Sequence, residues 1–83
     1  MPRYLVVEDN GPPTAQLFGQ RLKERRKALK MSQTQLFERT GITAAYISLV
    51  ERSRANPTLD MMVKIAEAVG SETWEMIRPP SGG

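Results

Sequence analysis

The sequence predicts an all-α domain of five short helices, and three observations support this prediction. Serine or threonine, which often caps helices, stands directly before stretches whose apolar residues recur with a period of roughly 3.6 residues. Glycine or proline follows most of these stretches and stops them. Only residues 4–7 have the composition of a strand, and the rest of the sequence offers them no partner strand.

The first helix is predicted to begin after a cap at Thr14 and to run to about Leu29. Its predicted inward-facing residues are Phe18, Leu22 and Leu29. Ser32 and Gln35 have the spacing of a capping box. A second helix is therefore predicted over residues 33–39, about two turns in length.

The remaining three helices follow the same pattern of cap, apolar stripe and stop. Thr43 should cap a third helix over residues 44–52. Thr58 should cap a fourth helix, which ends at Gly70. The apolar stripe predicted for this fourth helix consists of Leu59, Met62, Ile65, Ala66 and Val69. A last short helix is predicted to begin at Ser71.

Three segments are predicted along the 83 residues. Residues 1–13 form an extended N-terminal arm, in which residues 4–7 favour a short strand that could pair only with its copy in a dimer. Residues 14–78 form the helical domain, and residues 79–83 form a flexible tail. A chain of this length supports one small domain, which buries roughly 60% of its unfolded surface.

The composition argues against several classes of function. The chain has no cysteine and no histidine, which removes thiolate metal sites, the commonest zinc ligand and the commonest general base. We therefore expect no cofactor, no metal and no enzymatic activity. No apolar run approaches the roughly 20 residues that span a bilayer, and the N-terminus lacks the layout of a signal peptide. We expect a cytoplasmic protein without a membrane partner.

The positive charge is concentrated in one stretch of the sequence. Twelve lysines and arginines against nine acidic residues give a net charge of +3. Half of these cations fall within ten residues, where only Glu24 opposes them: Arg21, Lys23, Arg25, Arg26, Lys27 and Lys30. Such asymmetry favours a polyanionic partner, although a solvated basic helix face would have the same composition.

Two short helices joined by a glycine-containing turn, over residues 33–39 and 44–52, have the dimensions of a helix-turn-helix. Several separated motifs make the likeness specific. They are Phe18-Gly19-Gln20-Arg21-Leu22, Met31-Ser32-Gln33-x-x-Leu36, Gly41-Ile42-Thr43-x-x-Tyr46-Ile47-Ser48-x-Val50-Glu51-Arg52 and Asn56-Pro57-Thr58-Leu59. With this spacing, residues 17–77 resemble the Cro/repressor-type (XRE-like) helix-turn-helix family of DNA-binding proteins.

The third helix has one face that suits a close approach to DNA. At about 100° per residue, the larger apolar residues fall on one side and the small or polar residues on the other. The first side, expected to pack inward, consists of Tyr46, Ile47, Val50 and Glu51. The second side consists of Ala44, Ala45, Ser48, Leu49 and Arg52. Small outward side chains allow a helix to lie deep in the major groove.

The resemblance implies which residues touch double-stranded DNA. The base-facing residues would be Ala44, Ala45, Ser48 and Leu49. The residues at phosphates or elsewhere on the DNA backbone would be Gln33, Thr43, Arg26, Arg52, Arg54 and Asn56. Because the alanines offer only van der Waals contact, thymine methyl groups and DNA shape are expected to supply much of the specificity. Helix propensity on a plain surface would also favour alanine at these positions.

The resemblance also implies an ion pair between Arg26 and Glu51, which links the first helix to the third and presents the arginine to a phosphate. An exposed pair would contribute only roughly 0–1 kcal/mol, and a partly buried pair is expected.

Four residues depart from the pattern of the family. Phe37 replaces a small residue and is expected to push into the core or to shift the angle between the two helices. Arg25 stands at a usually apolar position, and Lys30 and Ser53 stand where glycine is common. None of these departures is expected to change the fold.

One such domain reads only about 4–6 base pairs, so two-fold pairing on a palindromic operator is expected. The residues predicted for the homodimer interface are Met61, Trp74, Met76 and Ile77. For Trp74, a place in the small core is an equally good expectation.

The favoured function is a sequence-specific transcriptional regulator, such as a repressor, an autoregulator or a restriction–modification controller-like protein. The alternative is an antitoxin-like module that binds a protein partner and has only secondary DNA binding. An enzyme is the weakest class, because only carboxylates and lysines could act in catalysis.

Overall fold

The computed structural model describes residues 13–79, and this part of the chain consists of helices joined by short turns. The helices are α1 (Pro13–Ala28), α2 (Gln33–Thr40), α3 (Ala44–Glu51), α4 (Leu59–Ala68) and α5 (Thr73–Ile77). The predicted all-α class with five helices is confirmed for these residues. The predicted arm and tail lie outside the described residues, apart from Pro13, which begins α1, and Pro79.

Polar caps begin three of the helices as predicted. The Ser32 hydroxyl accepts a hydrogen bond from Gln35 N at 3.0 Å, and Gln35 Oε1 accepts one from Ser32 N at 2.8 Å, which completes the capping box of α2. Thr43 and Thr58 cap α3 and α4 by accepting from the backbone N–H three residues further on. The predicted cap at Thr14 is wrong, because α1 already includes the residue before it.

The core lies where the helices meet: α1 packs on α3 and α5, α2 packs on α3 and α4, and α4 packs on α5. The largest fully buried side chains are Phe18, Leu22, Leu36, Ile47, Val50, Ile65 and Val69. Because full burial of a side chain of this size contributes about 1.5–3 kcal/mol, these residues supply most of the hydrophobic stabilisation.

Three of the exposed large apolar residues were expected to pack inward. Leu29 follows the last residue of α1 and is exposed, and Leu59, the first residue of α4, is 64% exposed. Phe37 does not enter the core as expected but is 41% exposed. Its neighbour Leu36 is buried on the inward side of α2. Because successive residues point about 100° apart around a helix, Phe37 cannot also point inward.

Helices α1 and α3 approach each other closely at Gly19, which is buried. A Cβ atom at this position would overlap the carbonyl oxygen of Val50 and lie 3.5 Å from the Cα of Glu51. The missing side chain therefore sets how near α3 can lie to α1.

Two arginines of α1 stabilise the ends of other helices. Arg25 Nε donates to Val69 O at 2.8 Å, and its Nη2 donates to Gly70 O at 3.1 Å, both at the end of α4. Arg21 Nη1 donates to Glu75 O in α5 at 2.7 Å. The last carbonyl groups of a helix lack partners within it, so these bonds explain an arginine at the usually apolar position 25.

Two turns place a residue with a side chain in the left-handed region of backbone conformation. Lys30, after α1, has a φ of 56°, and Ser53, after α3, has a φ of 62°. Any residue with a Cβ is disfavoured there by roughly 1–2 kcal/mol relative to glycine. The conformation accounts for the glycine that the family often carries at both positions.

Candidate nucleic-acid interface

The turn between α2 and α3 is held by its own hydrogen bonds. Gly41 has a φ of 77°, and its N–H donates to Phe37 O at 2.7 Å, which ends α2. Thr40 Oγ1 donates to Leu36 O at 2.8 Å and accepts from Ile42 N at 3.0 Å. These bonds fix the short connection that a helix-turn-helix requires.

Helix α3 buries one side and turns the other outward. Ile47 and Val50 are fully buried, Glu51 is buried, and Tyr46 packs half-buried against the core. On the opposite side Ala45 is exposed. The half-buried residues of that side are Ala44, Ser48 and Leu49. The predicted division of the helix is confirmed, and its outward surface is built mainly from small side chains.

A partly buried ion pair joins α3 to α1. Arg26 Nε donates to Glu51 Oε2 at 2.7 Å and Arg26 Nη2 donates to Oε1 at 2.9 Å, with the two side chains 11% and 3% exposed. Arg26 Nη1 also donates to Met31 O at 2.8 Å. The hydrogen bond to Glu51 raises the pKa of Arg26, although burial alone would lower it. The expected, partly buried pair is confirmed.

Helix α2 joins the same carboxylate through Gln33, whose Nε2 donates to Glu51 Oε1 at 3.1 Å. Three helices therefore meet at Glu51. The contact of Arg26 with a phosphate stays a prediction. Three of its five N–H groups donate to protein oxygens and its side chain is 11% exposed, which leaves one N–H on each of Nη1 and Nη2. The arginine positions α3, whereas Gln33 keeps a backbone N–H in the first turn of α2, where such groups lack helical partners.

The other residues expected at the DNA backbone lie at the two ends of α3. Thr43 is exposed at the N-cap, where its hydroxyl caps the helix. Arg52 is exposed directly after α3, and its Nε donates to Ser48 O at 3.4 Å. Arg54 and Asn56 are exposed in the following loop. The structure thus places a polar side chain at the start of α3, and cationic and polar side chains after its end.

One of the four residues predicted for the dimer interface is wrongly placed. Met76 is 2% exposed and belongs to the core, so it offers no surface to a second copy. Trp74 is exposed, with the Arg78 guanidinium 5.5 Å from its ring centroid, so the alternative expectation that it fills the core is wrong. Met61 and Ile77 are half-buried.

Two exposed apolar residues on α4 were missed as surface residues by the sequence analysis. Leu59 and Val63 are exposed one helical turn apart, on a helix that packs against α5. Their spacing of four residues was the available signal, but Leu59 had been assigned to the core stripe. Met61 points about 160° away from Leu59 around α4 and does not share this face.

Within residues 13–79, no helix is both long enough and apolar enough to cross a bilayer. In the same part of the chain, acidic side chains are not grouped in threes as they would be around a metal ion. The polar side chains that do converge are Arg26, Gln33 and Glu51, behind the outward face of α3.

The sequence pattern of the family described as helix-turn-helix matches residues 22–74. Together with the two braced helices, this match shows that the chain belongs to the helix-turn-helix family. The chain is 40% identical over 59 residues to the immunity repressor protein of Bacillus phage phi105, covering 71% of this chain and 41% of the repressor. It spans 27% of a second curated relative, so these proteins are considerably longer.

Solved structures of regulators share the fold. The restriction-modification controller protein C.AhdI from Aeromonas hydrophila is 37% identical, with a TM-score of 0.70 over 75% of this chain and 94% of the controller. The P22 c2 repressor, solved in complex with a synthetic operator, is 30% identical, with a TM-score of 0.71 over 76% of this chain and 96% of the repressor. Hydroxypropylphosphonic acid epoxidase from S. wedmorenis also matches, but over only 36% of that chain. The controller and the P22 repressor therefore share the fold of this chain over nearly their whole length, and the epoxidase carries it as one part of a longer chain.

Proposed function

We propose that this chain is a sequence-specific regulator, a repressor or autoregulator, that binds a palindromic operator as a homodimer through the major groove of double-stranded DNA. One observation carries the proposal: α3 turns small side chains outward while Arg26 and Gln33 hold it from behind through Glu51. A reading helix held in this way needs little reorganisation when it enters the groove. The site of action would be the cytoplasm, where the operator lies.

The base-facing residues of this proposal are Ala44, Ala45, Ser48 and Leu49. The alanines and Leu49 have no polar side-chain atoms, so they would select thymine methyl groups by van der Waals contact. Ser48 adds one hydroxyl that can donate or accept at a base edge. With so few direct hydrogen bonds, the deformability of uncontacted base pairs would supply the remaining specificity.

The contacts to the DNA backbone would flank α3. The residues in this role are Gln33, Thr43, Arg26, Arg52, Arg54 and Asn56. The N–H groups at the start of α2 would hold one phosphate at the positive end of the helix dipole. The two arginines after α3 would hold phosphates at its other end and fix the register of the helix in the groove.

A homodimer would join two such domains through α4 and α5. The exposed apolar residues Leu59, Val63 and Trp74 are the main candidates, with Ile77 of α5 in addition, whereas Met61 lies on the other side of α4 from Leu59. Burial of these side chains against a second copy would remove apolar surface from water. The twofold axis of the dimer would then match the palindrome of the operator.

The likeness to C.AhdI favours a restriction–modification controller-like protein, and the likeness to P22 c2 favours a phage repressor-like one. Both support a regulator built on this domain.

Selection of bound sites from random duplex DNA tests the proposed function. We expect a palindrome whose half-sites lie one helical turn apart, about 10 base pairs, with two chains bound to each site. Recovery of no enriched sequence would contradict specific binding and favour the antitoxin-like alternative, in which a protein partner is the main ligand.

Replacement of Ala45 by phenylalanine tests the reading face. The larger side chain should abolish binding to the selected site, because it would hold α3 away from the base edges, while salt-dependent non-specific binding persists. Ala28→Phe is the matched control, since Ala28 is an exposed alanine at the end of α1. Equal loss of binding in both variants would contradict the assignment.

Sedimentation of a Leu59→Glu/Val63→Glu variant tests the dimer face. Both side chains are exposed, so the variant should fold but sediment as a monomer. Phe37→Glu, which places the same charge at an exposed apolar residue of α2, should leave the dimer intact. A dimer that persists in the α4 variant would move the interface elsewhere.

A further inference from the structure

The basic cluster of α1 and the turn after it divides into two groups in the structure. The three arginines bind within the protein: Arg21 to α5, Arg25 to the end of α4, and Arg26 to Glu51. The three lysines, Lys23, Lys27 and Lys30, are exposed. Among residues 13–79 the ion pair is Arg26–Glu51, and none of these lysine side chains is paired with Glu24 or another acid. Their charges therefore remain available to a partner.

The lysines lie on the side of α1 that borders the outward face of α3. Gly19 and Arg26 both contact α3, and they point in nearly the same direction from the axis of α1, about 20° apart. The core residue Leu22 points about 60° to one side of Gly19. Lys23 and Lys27 lie about 40° and 80° from Gly19 on the other side. Since α3 turns Ile47 and Val50 toward the core, its outward face and the two lysines both lie on the side of the α1–α3 contact that is away from the core.

The three lysines lie along the chain between the start of α2 and the middle of α1. Lys30 stands three residues before Gln33, in the turn between α1 and α2. Lys27 and Lys23 follow back along α1, about 6 Å apart along its axis. This separation is close to two phosphate steps of one DNA strand, each about 3.4 Å along the duplex axis.

We propose that Lys23, Lys27 and Lys30 bind backbone phosphates of the operator strand that also carries the phosphate held by Gln33. The inference rests on the proposed function, because it requires α3 to lie in the major groove of the same duplex. The lysines would extend the footprint beyond the base pairs that α3 reads, and they would add affinity without adding sequence preference.

The salt dependence of binding by a Lys23→Gln/Lys27→Gln variant tests this inference. Glutamine keeps a good helix propensity, so the exposed substitutions should leave the fold intact. Lys64→Gln is the matched control, an exposed lysine on α4. The probes are the duplex selected by the wild-type protein and a mixed-sequence duplex of the same length, about 30 base pairs or three helical turns.

Each phosphate contact that is lost should reduce the slope of log affinity against log salt by about 0.9. We expect the double variant to lose slope and affinity on both duplexes, with the ratio of specific to non-specific binding unchanged. A slope equal to that of Lys64→Gln would overturn the lysine contacts while leaving the proposed function in place. A wild-type protein that selects no site from random DNA and does not bind the mixed-sequence duplex would instead overturn the proposed function and this inference with it.

Discussion

Arg26 and Glu51 join α1 to α3 through two parallel hydrogen bonds of 2.7 and 2.9 Å, in a site where the glutamate side chain is 3% exposed. Fork-shaped pairs of this kind fix orientation as well as distance. Because Gln33 donates to the same carboxylate, the start of α2 is held in register with the end of α3. The interface that we assign to DNA is therefore supported by interactions on its buried side.

Replacement of Glu51 by leucine should destabilise the domain by about 3 kcal/mol, because the variant leaves the Arg26 charge buried without its partner. Combining it with Arg26→Leu should recover part of this loss, since the buried charge is then absent. Urea unfolding followed by circular dichroism measures both effects. Glu67→Leu, at an exposed residue of α4, is the control. If the Glu51→Leu variant is as stable as the Glu67→Leu control, the Arg26–Glu51 pair does not stabilise the packing of α1 on α3.

Replacement of Gly19 by alanine should destabilise the domain by about 1–3 kcal/mol, because the new methyl group overlaps the Val50 carbonyl of α3. The sign of the change in the free energy of unfolding is informative, because alanine in place of glycine normally stabilises a helix interior by about 0.5–1 kcal/mol. Thermal unfolding measures the change, and Gln20→Ala on the exposed side of α1 is the control. An increase in stability would show that α1 and α3 are further apart than described.

Glycine at position 30 or 53 should stabilise the domain by up to about 1 kcal/mol, because Lys30 and Ser53 both have positive φ angles. The alanine variants at these positions remove the same side chains but keep Cβ, so they should gain nothing. Denaturant midpoints compare the two substitutions at each position. A gain shared by glycine and alanine would assign the effect to the lost side chain instead of the backbone.

The pKa of Glu75 lies below its ordinary value of 4.5, since its carboxylate accepts hydrogen bonds from Glu72 N and from the Ser71 hydroxyl. A depressed pKa in the folded state stabilises the fold above the unfolded pKa, and this contribution is lost as pH falls through the folded value. The loss should therefore occur in the acid range below about pH 4.5. Carboxyl NMR titration should show the Glu75 pKa rising in Ser71→Ala, and no rise would remove the hydroxyl as a cause.

The helices and the division of α3 could be predicted because they depend on local signals. Caps at Ser32, Thr43 and Thr58 bind N–H groups only three residues away, and the outward face of α3 follows from helical period alone. The Arg26–Glu51 pair came from resemblance to the family, because nothing local joins residues that are 25 positions apart.

The wrong predictions concern residues whose burial depends on how the helices pack together. Leu29 and Leu59 have the helical spacing of inward-facing residues. Each lies at or just beyond the end of its helix, however, and there its side chain is exposed. Met76 and Trp74 were not distinguishable by composition, since both are large and apolar, and the packing of α5 on α1 buries only Met76. The roles of Arg21 and Arg25 depend on carbonyl groups about 50 residues away, which no sequence pattern identifies.

Titration of the ¹⁵N-labelled protein with the selected duplex tests the central claim most directly, because amide shifts report contact residue by residue. We predict that the largest changes fall on residues 44–49 of α3 and on Gln33, with smaller changes along the lysines of α1. If the amides of α3 keep their positions while those of another surface respond, the assignment of α3 to the major groove is wrong.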